Sequence, residues 1–183
     1  MTEATQPVKP TLSELAEINP DFVGWISIEG TAVDYPVVRG SDNSVYINTT
    51  FSGRQSAAGA IFMDARCVKG FDEPVCIIYG HNMKNGAMFA TLEKYLNPSF
   101  IDTHPVITVT KPDGGELTYR IAEVTHTDAW DEAYDLSAFN DDSSETPGAL
   151  GDAPRRLLLS TCLRGAGQDA RLLIQASLVE RQE

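Results

Sequence analysis

The 183-residue chain lacks any apolar run near the roughly 18 residues that would cross a bilayer as a helix. Met1 to Pro10 has neither the charged start nor the apolar stretch of a signal peptide, so the chain as it stands is expected to be soluble. Cations are scarce, since 14 Lys and Arg against 26 Asp and Glu leave a net charge of −12. That balance argues against nucleic acid as a partner, because phosphate binding draws on clustered Lys and Arg, and it disfavours adhesion to an anionic lipid surface. Cysteine is sparse and odd in number, at three, which excludes a fully paired disulfide framework. No two cysteines stand at C-x-x-C spacing and the three histidines lack H-x-x-x-H spacing, so neither a local metal site nor a cofactor is expected. Internal repeats and a glycine-rich phosphate loop are also missing. What remains is an apolar fraction of 42%, which fits one globular domain large enough to bury a core without disulfide staples.

The pattern along the chain is β-like. Residues 1–10, with two prolines, read as a flexible lead-in, and the ordered domain is expected over 11–183. Thr11 to Glu14 fits a capping box, and Leu12, Leu15, Ala16 and Ile18 follow at helical spacing until Asn19-Pro20. Strands are then expected at Trp25–Ile28 and Ala32–Val38, with Pro36 marking an edge or a bulge. Further strands are expected at Gly59–Asp64, which ends in a carboxylate, and at Val75–Tyr79, which closes on Gly80-His81-Asn82. Ser41–Phe51 reads as a turn-rich loop. Met88, Phe89, Leu92, Tyr95 and Leu96 form one helical stripe that stops at Asn97-Pro98. A hairpin follows, with Val106–Thr110 and Glu116–Ile121 flanking Pro112-Asp113-Gly114-Gly115. Asp128–Ala153 is an acidic loop rich in Ser, Gly and Pro, of a length that is commonly functional or disordered. The last two strands are Arg155–Cys162 and one opening at Arg171. Eight short strands, two helices and no βαβ rhythm predict a mainly β, closed or nearly closed barrel with helical decoration.

Three residue types in this pattern suit thiol-based acyl transfer, which needs a nucleophile, a proton-shuttling group and a donor for the developing oxyanion. Cys162 ends a strand and Arg171 opens the next, on the face opposite Leu172, Ile174, Ala176 and Leu178. His81 follows a core strand, whereas His104 precedes a proline and His126 sits near the end of another strand. Taken alone, Cys162 and Arg171 read as a buried strand cysteine and a surface arginine rather than as chemistry. Cys67 and Cys76 are open to two readings, a disulfide in an oxidising compartment or Cys76 as plain core.

Tyr79-Gly80-His81-Asn82, Ser160-Thr161-Cys162 and Arg171, in that order and placement, resemble the sortases, particularly class B. Gly59–Asp64, Asn85–Phe89 and His104-Pro105 add to the resemblance, which runs from about Asn19 to Val179. It implies a closed eight-stranded sortase-type β-barrel with an N-terminal helix and one or two further short helices. It also implies a cysteine transpeptidase of Gram-positive bacteria, held at the extracellular face of the membrane by an N-terminal segment absent from this chain. Cys162 would attack the Thr carbonyl of an LPXTG- or NPXTX-like sorting signal on a surface protein or pilin. His81 would protonate the leaving amine, and Arg171 would hold the oxyanion. The thioacyl-enzyme would pass to an amine acceptor, a lipid-linked peptidoglycan precursor or a pilin lysine. Tyr79, Ser160 and Asn48 would line the groove, and the enzyme would act as a monomer.

Two departures stand out. Class B enzymes usually carry a long helix before the cysteine strand, where this chain has a short segment broken by Pro147 and Gly148. Arg164, in the glycine-rich loop after the cysteine, is a rival to Arg171. A barrel that binds peptide without chemistry and a cysteine hydrolase are the competing readings.

Overall fold

The computed structural model describes residues 9–137 and 154–182. Helix α1 (Leu12–Ile18) opens on the expected capping box, with Thr11 and Glu14 each accepting from the other's backbone N–H. Its one buried side chain, Leu15, seats it on the barrel. The eight strands are β1 (Phe22–Ser27), β2 (Asp34–Val38), β3 (Ile61–Met63), β4 (Val75–Tyr79), β5 (Val106–Thr110), β6 (Glu116–Asp128), β7 (Arg156–Cys162) and β8 (Ala170–Gln182). They form a closed barrel in the order β1-β2-β3-β4-β7-β8-β6-β5, with β5 returning to β1. Closure leaves no free edge to template pairing with another chain.

Alternation explains the outer strands and continuous burial the central ones. β1 buries every second residue, as a strand with one face on the core should. β4 and β7 lie side by side in parallel, and Val75–Ile78 and Leu157–Thr161 are buried without alternation. Both faces of this pair are therefore covered, the pattern expected of parallel strands. Leu157, Leu159, Ile77 and Ile78 are wholly shielded, each worth about 1.5–3 kcal/mol of burial.

Several local expectations are corrected. The strands are not all short, for β6 and β8 run 13 residues each and share the longest ladder. Pro36 sits inside a closed sheet, yet the β2–β3 ladder covers only Val37 and Val38, so no partner on that side needs its missing N–H. The stripe around Leu92 forms a 3-10 helix, Ala90–Leu96, which leaves Leu96 exposed. Asn97-Pro98 does not end the helical run but starts another, α2 (Pro98–Thr103), with Asn97 accepting from Ser99 N and Pro98 in the first turn. Cys67 and Cys76 are both free and buried. The hydrogen bond with Cys67, together with burial, pushes the Cys76 thiol well above its usual range, and such thiols are inert. Of the acidic stretch after β6, a 3-10 turn at Glu132–Tyr134 and a buried Leu136 are seen. Residues 138–153, which include Pro147 and Gly148, lie outside the described residues, as do residues 1–8.

Gly59 holds a tight approach between the Ser41–Phe51 loop and β3. Its φ of 56° is left-handed, and an added Cβ would strike the carbonyl oxygens of Ile47 and Tyr46. Gly59→Ala is expected to cost about 2 kcal/mol, read as a melting temperature lower by roughly 4–8 °C. An unchanged melt would show that the loop yields without strain.

Candidate active site

The site is built where β4, β7 and β8 end. In the β7–β8 ladder Cys162 is the register partner of Arg171. Residues directly opposite in an antiparallel pair share a face with their Cβ atoms about 4.5–5.5 Å apart, so the Cys162 and Arg171 side chains leave the sheet on one face. Ser160, two residues back on β7, shares that face, and its partner on β4 is Tyr79. Cys162 is exposed and free while Ser160 is buried. One face of three adjacent strands thus carries Tyr79, Ser160, Cys162 and Arg171. The Arg171 fork is steadied by Nη1, which donates to the carbonyls of Gln168 (3.0 Å) and Ala170 (3.1 Å).

His81 arrives by a different route. The chain leaves β4 through Gly80, whose N–H donates to Ser160 O (3.2 Å) and whose carbonyl accepts from Thr161 Oγ1 (2.7 Å). A Cβ at Gly80 would fall 2.7 Å from the Phe89 ring and 2.5 Å from Ile61 Cδ1, so no larger residue fits. His81 Nε2 lies 2.7 Å from Ile47 O. A carbonyl only accepts, so Nε2 carries the proton there and Nδ1 is left to exchange one.

Beside these groups opens a cleft of about 320 Å³, walled by Tyr79, Ser160, Arg171, Tyr134, Ile47 and Arg66, among others. Tyr134 closes one side, with its hydroxyl 2.8 Å from Ser160 Oγ and its ring stacked on Tyr79 at 6.4 Å and 12°. The floor rests on Asp64, whose side chain is fully buried and accepts from Tyr79 Oη (2.8 Å), Asn43 Nδ2 (3.0 Å) and both Nε and Nη2 of Arg66. Burial works to raise the Asp64 pKa, but the Arg66 and Tyr79 hydrogen bonds outweigh it and hold the carboxyl below its usual range. Burial and that same carboxylate push the Tyr79 phenol far up, so Tyr79 stays a donor.

The expected residues are partly brought together. Cys162, Arg171, Ser160 and Tyr79 share the strand-end face, and His81 stands at the end of β4. Asn48 is exposed and, like His81 and Cys162, is not among the residues lining the cleft, whereas Ile47 and Asn43 of the same loop are. Arg164 points elsewhere, pairing with Glu93 at 3.3 Å. His104 stacks on Phe100 at 4.1 Å, a packing role. Tyr134, Arg66, Asn43 and Ile47 were not legible as site residues. The signal for Asp64 was a carboxylate ending a buried strand, where only a paired charge is tolerated. No cluster of three or more His, Cys, Asp or Glu able to hold a metal occurs among the described residues.

Comparison with known proteins agrees with this architecture. The model of the sortase domain family matches residues 26–179. Sortase B of Listeria monocytogenes serovar 1/2a is 40% identical over 107 residues, covering 58% of this chain and 44% of the relative. Staphylococcus aureus sortase B is 39% identical over 108 residues, again 58% and 44%. The match thus spans less than half the length of either relative. Among solved structures, a Streptococcus pyogenes class B sortase involved in pilus biogenesis superposes with a TM-score of 0.78 at 27% identity, covering 92% of this chain and 97% of that one. The Staphylococcus aureus sortase B–substrate complex gives 0.75 at 28%, covering 92% and 84%. The chain belongs to the sortase family, and these relatives and structural neighbours are of class B.

The Asp64 cluster gives a pH-dependent prediction. Its folded pKa lies below the unfolded value of about 3.9, so its stabilisation is fully present above that value and is lost as pH falls through the folded one. Removing one partner of a buried pair costs about 3–5 kcal/mol, and half-exposed Arg66 reduces this to about 2–3. Asp64→Asn should therefore lower the melting temperature at pH 7 by roughly 5–10 °C. The gap from wild type should shrink at pH 3, and a gap equal at both values would refute the charge argument.

Proposed function

We propose that the chain is a cysteine transpeptidase. It cleaves a C-terminal sorting signal of LPXTG or NPXTX kind after Thr and passes the acyl group to an amine. The observation that carries this reading is the register pair Cys162–Arg171, which sets an exposed free cysteine opposite an arginine that lines the cleft. Cys162 gives its proton to His81 Nδ1, the resulting thiolate attacks the Thr carbonyl carbon, and the carbonyl oxygen takes the negative charge. Arg171, a fixed donor fork that never deprotonates, hydrogen-bonds that oxygen. The C–N bond breaks, the departing amine takes a proton from His81, and the acyl group stays on sulfur as a thioester. An incoming amine gives its proton to His81, attacks the same carbon and frees the thiolate.

Tyr79, Ser160 and Tyr134 offer hydroxyls and ring faces to an extended peptide, while Ile47, 39% exposed, offers an apolar contact. The solved sortase B–substrate complex and a sortase B complexed with triglycine support a peptide donor and an amine acceptor. The acceptor here is a lipid-linked peptidoglycan precursor or a pilin lysine, met at the outer face of a Gram-positive membrane. No helix among the described residues is long and apolar enough to cross that membrane, so any anchor lies outside them. One chain supplies thiol, imidazole and guanidinium, which supports action as a monomer.

The test is turnover of sorting-signal peptides with and without an amine acceptor, read by mass spectrometry for a thioacyl adduct on Cys162. Cys162→Ala should abolish both the adduct and the product, and Arg171→Lys should slow turnover by about 10²–10³. Hydrolysis that no amine diverts would make the protein a hydrolase. Tight peptide binding without any adduct would make it a binding module.

A further inference from the structure

The two groups that must meet, His81 and Cys162, stand on separate strand-end loops. The sheet ties these loops only up to the catalytic positions, through Gly80 N to Ser160 O and Thr161 Oγ1 to Gly80 O. Beyond them, toward Asn82 and Arg164, the ladder between β4 and β7 has ended. A second set of contacts takes over there, joining the two loops directly and through the 3-10 helix Ala90–Leu96.

Glu93 lies in that helix with its side chain 26% exposed. Its Oε1 accepts from Asn82 Nδ2 at 2.8 Å and from Arg164 N at 3.1 Å. Its Oε2 pairs with Arg164 Nη2 at 3.3 Å. Asn82 Nδ2 also donates to Cys162 O at 3.0 Å. One carboxylate thus joins the residue after the histidine to the residue two beyond the cysteine, and through Asn82 it reaches the carbonyl of the cysteine itself. The helix is fastened to the same loop by its backbone as well, since Phe89 N donates to His81 O at 2.9 Å. The loop after Cys162 has little stiffness of its own, with Gly165 and Gly167 both at positive φ.

We infer that Glu93 is a positioning residue, holding the His81 and Cys162 loops in one fixed relation for acyl transfer. It touches no cleft-lining side chain and neither reacting group. Its effect is on geometry, where a displacement of about 1 Å costs on the order of 10²-fold in rate. The ion pair with Arg164 is half-exposed and by itself contributes little. What matters is the pair of hydrogen bonds accepted by Oε1, which a glutamine carbonyl can also accept.

This inference rests on the transpeptidase reading for its kinetic arm and on no assumed activity for its structural arm. In the full chain, Glu93→Ala should lower kcat by about 10–100-fold with KM within about twofold, and should leave the melting temperature within about 2 °C of wild type. Glu93→Gln should recover most of the loss. By NMR, hydrogen exchange at the Arg164 amide should speed at least about tenfold in Glu93→Ala and stay near wild type in Glu93→Gln. An unchanged kcat in Glu93→Ala, a rise in KM alone, or a glutamine variant as impaired as alanine would overturn the inference. If the wild type turns over no peptide, the proposed function falls. The Arg164 exchange rates then decide by themselves whether Glu93 holds the loops, and rates equal to wild type in both variants would refute it.

Discussion

Everything at this site depends on β7 being paired on both sides, parallel to β4 and antiparallel to β8. The β4 pairing sets Ser160 against Tyr79 and so fixes the cleft floor. The β8 pairing sets Cys162 against Arg171 and so fixes the cation beside the thiol. A one-residue slip against β8 would send Arg171 to the other face of the sheet, because side chains alternate with a period of two. Such a slip would also displace Leu172, Leu173 and Ile174, all fully buried, and expose part of the core. Core packing and the Cys162–Arg171 register are therefore one constraint, and the fold cannot relax one without losing the other.

Two carboxylates gather side chains near the C-terminal end of this strand. Asp64 gathers Tyr79, Asn43 and Arg66 beneath the cleft, while Glu93 gathers Asn82 and Arg164 behind the catalytic loops. Each has a guanidinium partner, Arg66 for Asp64 and Arg164 for Glu93.

The strands were legible because burial imposes a period on the sequence, and that period read true for α1, β1, β4 and the β5–β6 hairpin. Cys162 and Arg171 were legible because they bracket a turn between two such strands. The helical stripe around Leu92 misled because 3-10 and α spacing coincide over so short a run, and Asn97-Pro98 served as a start where a stop was expected. Tyr134 and Glu93 could not be found in this way. Tyr134 reaches Ser160 across 26 residues, and Glu93 reaches Arg164 across 71. No local pattern records a contact that only the closed barrel creates. Within the Ser41–Phe51 loop no period shows which residues face the cleft, and there Ile47 and Asn43 line it.

The thiol and the imidazole are thus placed by different physics. Cys162 is carried on a hydrogen-bonded ladder, so a change that moves it must also damage the sheet. His81 is placed by a loop that passes where Gly80 leaves room between Ile61 and Phe89, and it rests on a carbonyl that Gly59 allows to approach. Two missing side chains leave room for this loop, and the contacts of His81 with Ile47 O and with Phe89 N then hold it there. What couples the loop to the strand is a set of hydrogen bonds, Gly80 N to Ser160 O, Thr161 Oγ1 to Gly80 O and Asn82 Nδ2 to Cys162 O, and the Glu93 bonds to Asn82 and to the amide of Arg164 extend that set beyond the end of the ladder.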